Sequence, residues 1–117
     1  MKIIFAGTSH GVPEKNAFCS STFLSVGGNT YIIDAGAPVS GLLRNYDLPH
    51  ASVKGVFVTH FHGDHMAGLA EFCDQITWYF KDCKPQIFLP EQDAVDLLHH
   101  WIKVVLPDNE DHLNLNT

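Results

Sequence analysis

Short apolar runs separated by Gly- and Ser-rich loops fill the first third of the chain, and stretches with apolar residues at helical spacing fill most of the rest. Residues 2–6 predict a strand of β-branched and aromatic residues, and residues 7–20 a loop rich in Gly, Ser and His with Pro13. Between 21 and 26, Thr22 and Leu24 fall on one side and Phe23 and Ser25 on the other, the period of a strand. Gly27-Gly28-Asn29 signals a hairpin turn, and Thr30 to Ile33 form the return strand. That strand ends at Asp34-Ala35-Gly36, where glycine permits a sharp turn. Residues 38–46 predict a short helix on Leu42, Leu43 and Tyr46. Val53 to Thr59 is so continuously apolar at Val56, Phe57 and Val58 that it predicts a strand covered on both faces.

Helical spacing then takes over. Met66, Leu69, Ala70, Cys73, Ile76 and Phe80 mark a helix over 65–80, and Gln86 to Leu89 is a short strand between prolines. In residues 91–106, Asp96, His99, His100 and Lys103 make one polar face. Val95, Leu98, Ile102 and Val105 oppose it, widened by Leu97, Trp101 and Val104. Pro107 stops that helix, and Asp108 to Thr117 read as a polar, mobile tail. A β-rich opening followed by strand, helix, strand, helix places the chain in the α/β (α+β) class, with 117 residues sufficient for one domain.

Composition narrows this picture. Apolar residues are 45% and charged residues 17%, which fits a globular core and no disordered chain. No apolar run is long enough to cross a membrane, and the first run is too short for a signal peptide. Cys19, Cys73 and Cys83 are odd in number and show no paired spacing, so they read as small buried residues in a reducing cytoplasm. The formal net charge is −6 and the seven basic residues are scattered, so there is no basic patch of the kind nucleic-acid binders carry. A nucleotide substrate stays open, because a metal centre brings its own positive charge.

The candidate chemistry lies in Thr59-His60-Phe61-His62-Gly63-Asp64-His65. Imidazole and carboxylate are ligands for zinc and related divalent metals, and four such groups fall within six residues. In an extended stretch residues two apart point the same way, so His60 and His62 can converge on one ion. Asp64 and His65, at the turn into the next helix, can face a second ion, with Gly63 folding the chain tightly between the two pairs. Histidine and aspartate with open positions favour a catalytic metal over a structural one.

This loop, followed by Gly68-Leu69, resembles the HxHxDH signature of the metallo-β-lactamase-fold superfamily. Gly7-Thr8-Ser9-His10-Gly11-Val12-Pro13 resembles the first loop of its ribonuclease Z-like and phosphodiesterase branch. Ile32-Ile33-Asp34-Ala35-Gly36 resembles the family's strand ending in Asp-x-Gly. The resemblance implies a hydrolase with two divalent metals, zinc first with manganese or iron as alternatives. His60 and His62 would bind one metal, and Asp64 and His65 the other. A hydroxide held between the metals would be the nucleophile, with Asp64 orienting it as well as binding metal. Asp34 would orient a ligand histidine from behind, or else serve only as a turn residue at the strand end. His10 would line the substrate side, or be a plain loop histidine.

The family fold is an αββα sandwich of two similar halves, and the chain is about half the usual length. The resemblance therefore implies residues 1–107 as an N-terminal half, one mixed sheet with helices on one face, and 108–117 as a tail. Further ligands in the family come from the second half, so the site in this chain is incomplete and its catalysis alone is open. His112 with Asp108 or Asp111 could fold back towards the site only from a flexible tail, while His99 and His100 fit solvent better. The bare sheet face, with Ile3, Phe5, Phe23 and Ile32 as candidate residues, predicts a missing C-terminal half or a two-fold homodimer. A small-molecule or nucleotide phosphodiester is the expected substrate. Thioester hydrolysis, iron-dependent sulfur oxidation, and a non-catalytic metal-binding or interaction remnant are the competing functions.

Overall fold

Two adjacent glycines start the fold. Gly27 (φ 56°) and Gly28 (φ 81°) take the left-handed conformation that a tight hairpin needs. They join β2 (Ser21–Val26) to β3 (Asn29–Ile33), and β1 (Lys2–Gly7) pairs antiparallel on the other edge of β2. From β3 onward every connection is a helical crossover. α1 (Val39–Asn45) leads to β4 (Val53–Phe57), α2 (Gly63–Trp78) to β5 (Gln86–Phe88), and α3 (Gln92–Val105) to β6 (Asn114–Asn116). The computed structural model describes residues 1–117 and arranges the strands as one sheet in sequential order, β3 to β6 parallel.

Sequential order has a consequence for the layers. Right-handed crossovers that all step in the same direction put their helices on the same face of the sheet. One face is accordingly packed. The row Ile4, Phe23, Ile32, Val56, Ile87 and Leu115 runs in register across all six strands beneath the helices. Leu42 and Leu43 of α1, Leu69, Phe72 and Ile76 of α2, and Val95, Leu98 and Ile102 of α3 complete that core. The expected half-sandwich, one mixed sheet with helices on one face, is the architecture found.

The opposite face is bare. Ile3 (49% exposed), Phe5 (69%), Phe57 (40%) and Phe88 (37%) stand on it. Phe57 and Phe88 stack at 5.1 Å between ring centroids. Two expectations are corrected here. Phe23 and Ile32, expected on the bare face, are fully buried under the helices. Alternation fixes which residues share a face, not which face is covered, and the pairing register set the parity. β4, expected to be covered on both faces, is covered on one.

Three local features also differ from expectation. The 108–117 segment does not hang free: Leu115 packs on the core, and β6 pairs with β5. Its side chains support it, with Asp111 Oδ2 2.6 Å from His99 Nδ1 and the Asn116 amide donating to Gln86 Oε1. His50, which the sequence leaves without a role, is buried in a single 3-10 turn, stacked 3.6 Å from Phe80 with Nε2 3.0 Å from Ser40 Oγ. Finally, Leu97, Trp101 and Val104, expected to widen the buried side of α3, stay substantially exposed. No helix is long and apolar enough to cross a membrane.

Candidate metal centre

The carboxyl ends of β3 and β4 lie side by side, and the polar cluster grows from them. Asp34 follows β3 directly. Its N–H donates to Phe57 O at 2.8 Å, which ties the end of β3 to the end of β4. Asp34 has φ 61°, a left-handed conformation that short polar side chains tolerate better than others. That conformation turns its carboxylate, 5% exposed as a residue, onto the loop after β4. Oδ1 accepts the Thr59 N–H at 2.7 Å, and the Thr59 hydroxyl lies 3.0 and 2.9 Å from the two oxygens. Oδ2 also accepts from His65 Nδ1 at 2.8 Å. The Asp-x-Gly landmark and the histidine loop are thus one hydrogen-bonded unit.

The backbone reinforces it. The Ala35 N–H donates to His65 O (2.7 Å), the Ser20 N–H to Asp64 O (3.1 Å) and the Gly68 N–H to Ala35 O (2.7 Å). Such close approach demands glycine. A Cβ on Gly36 would sit 1.9 Å from Asp64 O, and one on Gly68 would sit 1.8 Å from Ala37 O. Gly63, expected to make the sharp turn, instead opens α2 with an ordinary φ and nothing near its missing Cβ. At this end of the sheet the left-handed conformation belongs to Asp34.

The four expected ligands are neighbours. The His60 ring centroid is 4.8 Å from that of His62 and 3.8 Å from that of His65, so His60 sits between the other two imidazoles. Asp64 and His65 occupy the first turn of α2, with Asp64 Oδ2 3.3 Å from His65 Nε2. This last contact tests for a cation. Because Nδ1 donates its hydrogen to Asp34, a neutral His65 presents a lone pair from Nε2 to a carboxylate oxygen. Two acceptors at that spacing repel, and a proton or a cation between them would relieve the repulsion. Imidazole and carboxylate suit a divalent metal in kind. No three His, Cys, Asp or Glu groups converge on a common point in this chain.

The remaining candidates lie apart. His10 is exposed and its Nε2 faces Glu14 Oε1 at 3.6 Å. His112 pairs with Glu110 at 3.3 Å. It lines a groove of about 320 Å³ with Lys81, Lys84 and Asn114. That groove lies where the chain enters β5 and β6, the end of the parallel strands opposite the histidine loop. Folding back of the tail to the metal loop does not occur. Thr59 heads the candidate stretch but the sequence assigns it no role: a threonine closing an apolar strand looks like another strand residue, and only its contacts distinguish it.

Comparisons with known proteins agree with this geometry. The profile of the family described as Anti-Pycsar protein Apyc1 matches residues 1–117. Ribonuclease Z of Methanocaldococcus jannaschii is 29% identical over 109 residues, covering 88% of this chain and 34% of that protein. The crystal structure of the short form of human tRNase Z superposes with TM-score 0.81 at 23% identity, over 98% of this chain and 42% of that one. A metallo-β-lactamase fold protein of Bacillus subtilis, YhfI, gives TM-score 0.68 at 21% identity, over 80% and 38%. The chain spans about a third of the length of the ribonucleases Z it matches. With all 117 residues matched and two landmarks joined at Asp34, the chain belongs to the Apyc1 family, on the ribonuclease Z-like branch of the metallo-β-lactamase fold.

Proposed function

We propose that this chain forms the metal-binding half of a metal-dependent hydrolase that cleaves a phosphodiester bond in a small molecule or nucleotide. The observation that carries the reading is the cluster at the ends of β3 and β4. Three imidazoles and one carboxylate crowd together there, braced by a buried aspartate that itself needs no metal. His60 and His62 are assigned to one ion, and Asp64 and His65 to the other. Zinc suits these ligands, and manganese or iron would be accepted. A divalent metal here supplies charge neutralisation at a phosphoryl group and acidifies a water.

The chain's own residues do the positioning. Asp34 holds the ring of His65, the backbone of Ala35 and Ser20 holds residues 64 and 65, and Asp64 completes the acidic side of the cluster. His10 stands on the first loop, where it would meet a substrate entering from that side. The remaining ligands would come from a second layer over the bare sheet face, either the remainder of a longer chain or a second copy of this one. That layer would also cover Ile3, Phe5, Phe57 and Phe88, which water otherwise meets.

A chromogenic phosphodiester assayed with Zn2+, Mn2+ or Fe2+ tests the reading. Turnover that depends on metal and disappears in His62→Ala supports it. Iron recovered by elemental analysis, with thioester but no phosphodiester turnover, would move the protein to another chemistry of the same fold. One observation favours a second reading, a metal-binding module without catalysis: no three donors converge in this chain. Weak metal binding without turnover, in a protein with both layers present, would establish that reading.

A further inference from the structure

The Thr59 hydroxyl touches both the buried carboxylate and an imidazole of the cluster. It lies 3.0 and 2.9 Å from the Asp34 oxygens and 3.1 Å from His60 Nδ1. A hydroxyl has one hydrogen to give and lone pairs to receive. A carboxylate only accepts, so the hydroxyl hydrogen goes to Asp34. The oxygen then turns a lone pair towards His60 Nδ1, which completes the bond only if it carries the ring hydrogen. We infer that Thr59 is a positioning residue that fixes the tautomer of His60. Asp34 thereby orders two histidines, His65 directly and His60 through the Thr59 hydroxyl.

The consequence for the site is specific. With hydrogen held on Nδ1, both His60 and His65 keep Nε2 unprotonated, the state in which an imidazole nitrogen can bind a metal. The relay uses the side chain alone. The Thr59 N–H reaches Asp34 Oδ1 separately at 2.7 Å, so the loop remains tied when the hydroxyl is removed. The metal-affinity part rests on the hydrolase reading above; the tautomer part does not.

The experiment is nitrogen-15 NMR of the histidine rings in the metal-free chain, at a pH where the imidazoles are neutral, for wild type, Thr59→Val and Thr59→Ser. Wild type is expected to show the ring hydrogen on Nδ1 of both His60 and His65. Thr59→Val is expected to lose it at His60 and keep it at His65, with the backbone amide pattern of the fold unchanged. Thr59→Ser is expected to restore it. Titration with Zn2+ alone is expected to show affinity roughly 10–100-fold weaker in Thr59→Val and recovered in Thr59→Ser. A wild-type His60 protonated on Nε2, or a His60 tautomer indifferent to the hydroxyl, overturns the inference, and the wild-type spectrum decides even if the valine variant fails to fold. If the tautomer follows the hydroxyl while Zn2+ binds to none of the three proteins, the relay stands and the metal-affinity part of the inference falls.

Discussion

Asp34 concentrates more of the site than any other residue. Its carboxylate gathers the Thr59 N–H, the Thr59 hydroxyl and His65 Nδ1 while its backbone takes a conformation most side chains avoid. Asparagine tolerates that backbone but brings an N–H2 where an acceptor is required. Asp34→Asn is expected to lower stability by about 1–3 kcal/mol, read as a shift of the urea midpoint. The cysteines give a second residue-scale prediction. Burial pushes the Cys83 thiol up to about 12 and Cys73 higher still, whereas Cys19 is partly exposed. Iodoacetamide at neutral pH is expected to modify Cys19 alone in the folded protein and all three cysteines in denaturant, counted by mass spectrometry. At this scale, legibility in the sequence followed residue type. Histidine and aspartate announce themselves as candidate ligands and their supports, so His60, His62, Asp64, His65 and Asp34 could be singled out from the sequence, and the fold brings them together. A threonine hydroxyl and a stacked structural histidine at 50 do not, because their roles exist only through partners 25 and 10 positions away.

Among the elements, α2 carries Asp64 and His65 of the candidate site and depends on its approach to residues 34–37. Gly68→Ala would push a methyl group into Ala37 O, and rigid backbone on both sides leaves little room to yield. A loss of about 1–3 kcal/mol in thermal or urea unfolding is expected, with weaker metal binding because His65 shares that first part of the helix. The contact of His50 with Ser40 and Phe80 links the turn before β4 to α1 and the end of α2. Burial, with Arg44 second, holds His50 below its ordinary 6.5. The unfolded chain therefore takes up a proton first on acidification. Stability is unaffected by this group above about pH 6.5 and falls as pH drops below it. Urea midpoints measured across that range are expected to show this slope, and His50→Gln to flatten it. Most helices and strands were legible because apolar spacing marks them. β6 was not: Asn114 and Asn116 flank Leu115, and one apolar residue carries no period.

The molecule as a whole is a sheet with one face dressed and one undressed. Phe57 and Phe88, stacked on the open side, make the surface that a second layer would need. The chain alone is expected to bind a hydrophobic dye or to self-associate in sedimentation velocity. Phe57→Ser with Phe88→Ser is expected to reduce both with little effect on the urea midpoint. A dye-silent monomer would remove the case for a second layer. The half-sandwich could be anticipated from the sequence, but the identity of its bare-face residues could not, since either parity of an alternating strand satisfies the pattern.

The bonds from Asp34 to Thr59 and His65 close loops of 25 and 31 residues, whereas the Gly27–Gly28 hairpin closes at once. Contacts that close long loops carry a larger entropy cost and tend to form later in folding. The β1–β2–β3 meander can therefore zip up before the histidine loop has anything to lean on. Site assembly then coincides with docking of β4 against β3, so in a refolding experiment metal competence is expected to appear with that late step, after much of the sheet signal has returned.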